Sequence, residues 1–92
     1  MNFEWDPVKA RRNRRKHRVS FQEATTVLSD PLGVTYPDPD HSEYEQRFIT
    51  LGMSAASRVL VVVHLEDADR IRMISARKAN QSEREDYEEN QR

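Results

Sequence analysis

Val59-Leu60-Val61-Val62-Val63 is the longest apolar run in the chain. Five such residues in a row are too few for a buried helix and far short of the roughly 18 of a membrane span. The run is apolar on both faces, so it reads as the central strand of a sheet. Little apolar material is left to cover it. Of 92 residues, 36% are hydrophobic and 34% charged, which predicts a thin core and one small domain over residues 1–92, since a second core does not fit. Stretches 45–53, 58–65 and 70–76 read as three strands joined by short polar connections, which implies antiparallel hairpins.

The flanks read as helices with explicit start signals. Phe3-Glu4-Trp5 is a short edge strand, and Asp6-Pro7 opens a helix to about residue 17: Asp caps free amide groups and Pro is tolerated at the first helical position. Ala10, Asn13 and His17 share one helix face, with Val8 nearby, and the arginines fan across the rest. Ser20-Phe21-Gln22-Glu23 is a capping box for a second helix to about residue 28, with Phe21, Ala24, Val27 and Leu28 inward. Asp30-Pro31 stops it. Residues 32–36 read as a strand, and Pro37-Asp38-Pro39-Asp40 as a loop. Asn80-Gln81-Ser82-Glu83 is a second capping box, opening a polar last helix through Tyr87 whose few apolar residues leave it in need of a partner. The order β-α-α-β-β-β-β-α predicts an α+β domain, with two N-terminal helices packed on a small antiparallel sheet and a third helix at the C-terminus.

Fifteen Lys and Arg against 16 Asp and Glu leave a formal net charge of −1, but the charge is sorted along the chain. Residues 9–18 hold Lys9, Arg11, Arg12, Arg14, Arg15, Lys16 and Arg18 and no acid. Residues 30–45 and 83–89 are acidic. Such blocks set local fields that steer a polyanion, whatever the total. Cysteine is absent, which excludes disulfides, thiolate metal sites and a Cys nucleophile. Met1-Asn2-Phe3-Glu4 lacks the basic and apolar regions of a signal peptide. A cytoplasmic location and no membrane contact are therefore expected.

Phe3-Glu4-Trp5-Asp6, Lys9, Asn13, Lys16-His17, Val19-Ser20-Phe21, Glu23-Ala24, Arg47-Phe48, Gly52, the run Ile71-Arg72-Met73-Ile74-Ser75-Ala76-Arg77-Lys78-Ala79, Glu83 and Tyr87 form an ordered set spanning nearly the whole chain. In these residues the sequence resembles the BrnT toxins of bacterial type II toxin–antitoxin systems. One departure stands out: the family commonly has Gly after the Lys-His pair, where this chain has Arg18. A left-handed backbone kept there costs roughly 1 kcal/mol. The resemblance implies a RelE-like fold and an endoribonuclease that works without a metal or other cofactor, so arresting translation and growth. It also implies a BrnA-like ribbon-helix-helix antitoxin as partner, with operator DNA bound only through the antitoxin complex.

Metal-free RNA cleavage uses the substrate's own 2′-OH and needs a proton acceptor, charge stabilisation at phosphorus and a proton donor to the leaving oxygen. RelE-like toxins are thought to use a loose set of Arg, Lys, His, Glu or Tyr residues. Arginine is a poor base, but its planar fork suits phosphate. Arg47, Arg72 and Arg77 are therefore the expected phosphate clamps, supported by Lys16. His17 is the acid–base candidate, or else a packed histidine holding the helix end. Lys9, Arg12, Arg15 and Arg18 are expected to contact the RNA backbone, with Trp5 stacking a base; Phe3 and Phe21 read as core. His64 reads as a packed sheet histidine, and Glu66 as a base or a solubilising turn residue. His41, Glu43 and Glu45 alternate in a way open to a metal ion, though no second His stands at ligand spacing. The alternative is a non-catalytic module, a degenerate toxin that binds nucleic acid or antitoxin without cutting.

Overall fold

The apolar run does lie at the middle of a sheet. In the computed structural model, residues 2–40 and 46–90 are described. They form β1 (Asn2–Glu4), α1 (Pro7–His17), α2 (Phe21–Val27), β2 (Val34–Pro37), β3 (Arg47–Met53), β4 (Val59–Asp67), β5 (Arg70–Lys78) and α3 (Gln81–Glu89). The strand order is β1-β5-β4-β3-β2, with β4 central. Strands β2 to β5 pair antiparallel in chain order, and the short β3–β4 and β4–β5 connections require hairpins there. The sheet is mixed, however, and not antiparallel throughout: β1 runs parallel to β5, with Phe3 opposite Ile71. β1 joins the sheet through two helices instead of a hairpin turn, so no tight turn dictates its direction, and it takes the open edge of β5.

Alternation along β4 divides the core into two layers. Leu60 and Val62 face α1 and α2, where they pack with Val19, Phe21, Ala24, Val27, Ile71, Met73 and Ala76, all buried. Phe21, Ala24 and Val27 recur every third residue, giving the short α2 one apolar stripe. The opposite face holds a smaller cluster of Leu51, Val61, Ala79 and Tyr87. A bulge interrupts the β4–β5 ladder: Val63 pairs with Ser75 but His64 with Met73, which leaves Ile74 as the extra residue.

Each helix starts where its cap residue stands, though one cap differs from expectation. The Asp6 carboxylate accepts from Val8 N at 2.8 Å ahead of Pro7. Asn80 and Glu83 form the full reciprocal box at α3. At α2 only half the box exists: Ser20 Oγ accepts from Glu23 N at 3.0 Å, but the Glu23 carboxylate turns away. It binds the Arg58 guanidinium and accepts from Ser54 Oγ at 2.6 Å. A charged partner outcompetes one backbone amide. Arg58 also donates to the Arg18 carbonyl at 3.1 Å, which ties the α1–α2 corner to the β3–β4 hairpin.

Arg18 does adopt the left-handed conformation, φ 60 and ψ 31, with its N–H bonded to the Arg14 carbonyl. Ser57 and Ala68 hold positive φ in the two long hairpins. At the far end of the sheet, the polar α3 has an anchor within the chain. Tyr87 is buried, and its O–H donates to Asp30 Oδ2, which also accepts from Met53 N at 2.8 Å. A side chain at Gly52 would meet Val27 Cγ1 at 3.0 Å and Asp30 Oδ2 at 3.3 Å, so this anchor requires glycine beneath it.

Candidate functional site

Strand register gathers the expected arginines on one face. Arg47 lies opposite Leu65, and Leu65 opposite Arg72. Directly paired residues point the same way, so these three form a row across the sheet. Two strand spacings put the Cα atoms of Arg47 and Arg72 about 10 Å apart. The next row is Ile49, Val63 and Ser75, and the one after is Leu51, Val61 and Arg77. This is the face opposite α1 and α2. Helix α3 covers it at the Leu51–Val61 end, while Val63, Leu65 and Arg47 remain only partly buried.

The three arginines are held differently. Arg72 Nη1 stands 3.8 Å from Glu4 Oε1, with both side chains nearly half exposed, a loose surface pair of small energetic worth. Arg77 makes a two-pronged pair with Glu83, at 2.8 and 2.9 Å. That contact raises the Arg77 pKa and lowers that of Glu83, and it commits the Arg77 fork to the cap of α3. Arg47 opens β3, and its carbonyl accepts from Asp38 N at 2.9 Å.

Helix α1 meets this face along the edge of β5. Lys9, Arg12, Lys16 and His17 line a shallow groove of about 230 Å³ against Ile74 and Ser75. Ser75 belongs to the middle row of the arginine face, so the groove adjoins it. Asn13 sets the distance. Its amide donates to the Ala76 and Val19 carbonyls at 2.9 Å each and accepts from Ala76 N at 3.0 Å. β1 pairs only as far as Arg72, and Asn13 satisfies the β5 edge beyond it. Neither the place of Ser75 nor this Asn13 contact is legible in the sequence, because both depend on register.

Other candidates stand apart. Arg15 and Arg18 lie on the outer side of α1 with Arg11 and Arg14, away from Lys9, Arg12 and Lys16. Trp5 packs edge-on to Phe21, with ring centroids 6.0 Å apart, and belongs to the core beneath α1 and α2. That position does not bring it together with Arg47 and Arg72. Phe21 is fully buried and Phe3 is 38% exposed. His64 is the packed histidine the sequence suggested. It is 1% exposed, its Nε2 lies 2.8 Å from Thr50 Oγ1, and its ring stacks on Phe48. Burial pushes its pKa down to about 4, so it stays neutral at neutral pH. Glu66, 3.6 Å from His64 Nδ1, pairs with Ile71 across the ladder and is not in the arginine row. His41, Glu43 and Glu45 lie outside the described residues. Among the described residues no three His, Asp or Glu side chains are grouped to hold a metal ion, and no helix is long and apolar enough to cross a membrane.

The family model for the ribonuclease toxin BrnT of type II toxin–antitoxin systems matches residues 5–83. The chain belongs to the BrnT toxin family. It is therefore a ribonuclease toxin by family, and type II membership implies an antitoxin partner. The fold agrees. The 1.1 Å crystal structure of the Brucella abortus ribonuclease toxin BrnT superposes with a TM-score of 0.69. At 23% identity, the alignment covers 88% of this chain and 99% of that one. No curated protein sequence matches. The BrnT match takes in Lys16, His17, Arg47, Arg72 and Arg77, so every expected reaction-site residue falls within the family region.

Proposed function

We propose that residues 1–92 act as one toxin domain that cleaves RNA without a metal ion, on the sheet face bearing Arg47 and Arg72. The observation that carries this reading is the Arg47–Leu65–Arg72 row, flanked along β5 by Lys9, Arg12 and Lys16. In this reading the arginine forks hold the scissile phosphate and stabilise the charge added as the phosphorane forms. The 2′-oxygen bonds to phosphorus, the bond from phosphorus to the 5′-oxygen breaks, and a 2′,3′-cyclic phosphate and a 5′-OH result. His17 is the acid–base group, and Lys16 beside it adds positive charge. Arg77 stands at the end of the same face, where Glu83 engages its fork and offsets its charge. Partly exposed Val63 and Leu65 give the bases an apolar floor.

The same proposal takes the fold as RelE-like, supported by the two N-terminal helices on one sheet face and the third helix at the C-terminus. It also takes the antitoxin as a BrnA-like ribbon-helix-helix protein that carries the complex to operator DNA, and the cytoplasm as the site of action. The chemistry is tested with a single-stranded RNA in EDTA, beside the same RNA carrying 2′-deoxyribose at the cut. Cleavage of the first to a cyclic phosphate, with none of the second, is expected. Binding without cleavage of either, with translating ribosomes present as well as absent, would mean a non-catalytic module.

A further inference from the structure

The outer face of α1 carries cations that the proposed site does not use. Arg11, Arg14, Arg15 and Arg18 line a shallow groove of about 610 Å³, and all four are exposed. Their spacings of three and four residues make neighbouring side chains about 5–6 Å apart at Cβ. Among the described residues none of the four has a carboxylate within 4.0 Å. Glu23, at the end of the ridge, is committed to Arg58 and Ser54. The fourth cation sits on the left-handed Arg18, a conformation that costs a residue other than glycine about 1 kcal/mol. Like charges at these spacings also destabilise the helix.

A phosphate backbone relieves the charge repulsion, because guanidinium forks bind phosphate in two-pronged fashion. A protein segment is a poorer fit: among the described residues only arginines line the groove, and a protein interface is normally centred on buried apolar anchors. Lys9, Arg12 and Lys16 lie on the other side of the same helix, which is only about 10–12 Å across. One RNA strand leaving the sheet face can therefore pass over α1. We propose that the Arg11–Arg14–Arg15–Arg18 ridge holds a flanking stretch of the same RNA that is cut on the sheet face. This rests on the proposed function and extends it to substrate length.

The test compares RNA of about 2 nucleotides, at about 3.4 Å per nucleotide too short to cross α1 from the sheet face, with RNA of about 30, using fluorescence anisotropy and cleavage. The Arg11→Gln/Arg14→Gln variant should lose about tenfold or more in affinity for the long RNA, and its log–log salt slope should become shallower by about 1.4. Its affinity for the short RNA and its cleavage of it should be unchanged. Arg15→Gln/Arg18→Gln should show the same loss on long RNA, which guards against a folding defect in either variant. Equal losses on both lengths, or none on the long RNA, would overturn the proposal. So would loss of antitoxin binding with long-RNA binding intact, which would make the ridge a protein interface. Ridge-dependent binding without any cleavage would leave the ridge standing and sink the sheet-face site; Arg47-dependent cleavage with no ridge effect would do the reverse.

Discussion

Asn13 does the work of a strand with one side chain. Its carboxamide presents a donor and an acceptor to Ala76 as a neighbouring peptide would, and it is only 7% exposed. Replacing it with Ala leaves Ala76 N–H and two carbonyls buried without partners. Asn13→Ala should lose about 2–4 kcal/mol in urea unfolding, and should weaken cleavage through displacement of the Lys9–Lys16 groove. Asn13→Asp, which keeps the acceptor but not the donors, should also be destabilised. His64 makes a second prediction at this scale. Its pKa is about 4 when folded and about 6.5 when unfolded. Between those values the unfolded chain binds the extra proton, so stability is full above pH 6.5 and falls as the pH drops towards 4. Glu66 is 45% exposed, too solvated to offset the burial. The loss should reach on the order of 3 kcal/mol, and His64→Gln should flatten that part of the stability–pH curve.

Among the elements, α3 was the least secure in the sequence, where its polar surface suggested dependence on a partner. Its capping box was legible in Asn80 and Glu83, because that signal is local. Its anchor was not, because Asp30 and Tyr87 are 57 residues apart. Tyr87→Phe keeps the ring in the Leu51–Val61 cluster but leaves Asp30 one donor short. It should cost about 1–2 kcal/mol, seen as faster amide exchange in α3 before the rest of the chain. The same division runs through the other elements. Asp6-Pro7, Ser20 and the Val59–Val63 run announced their helices and strand through neighbours in sequence. The parallel pairing of β1 and the diversion of Glu23 to Arg58 were set by distant partners. Register was hidden as well, because the five-residue β3–β4 loop and the Ile74 bulge determine which residues share a row. Arg47, Arg72 and Arg77 were thus identifiable by chemistry and family pattern, but not as occupants of one face.

At the scale of the molecule, a net charge of −1 conceals a basic α1 and an acidic α3 on opposite sides of the sheet. Strong local fields on a near-neutral protein predict RNA binding that weakens steeply with salt. Folding also splits the basic segment in two. Lys9, Arg12 and Lys16 turn to the β5 edge and the arginine row, while Arg11, Arg14, Arg15 and Arg18 turn outward. The claim on which the rest depends is that the sheet face holds the scissile phosphate. Its most direct test is the rate of cleavage of a short single-stranded RNA in EDTA by the wild type and by Arg47→Ala, purified identically and matched for thermal unfolding. Cleavage by the wild type and a loss of about 100-fold or more in the variant are expected; equal rates in the two proteins would contradict a phosphate site on this face.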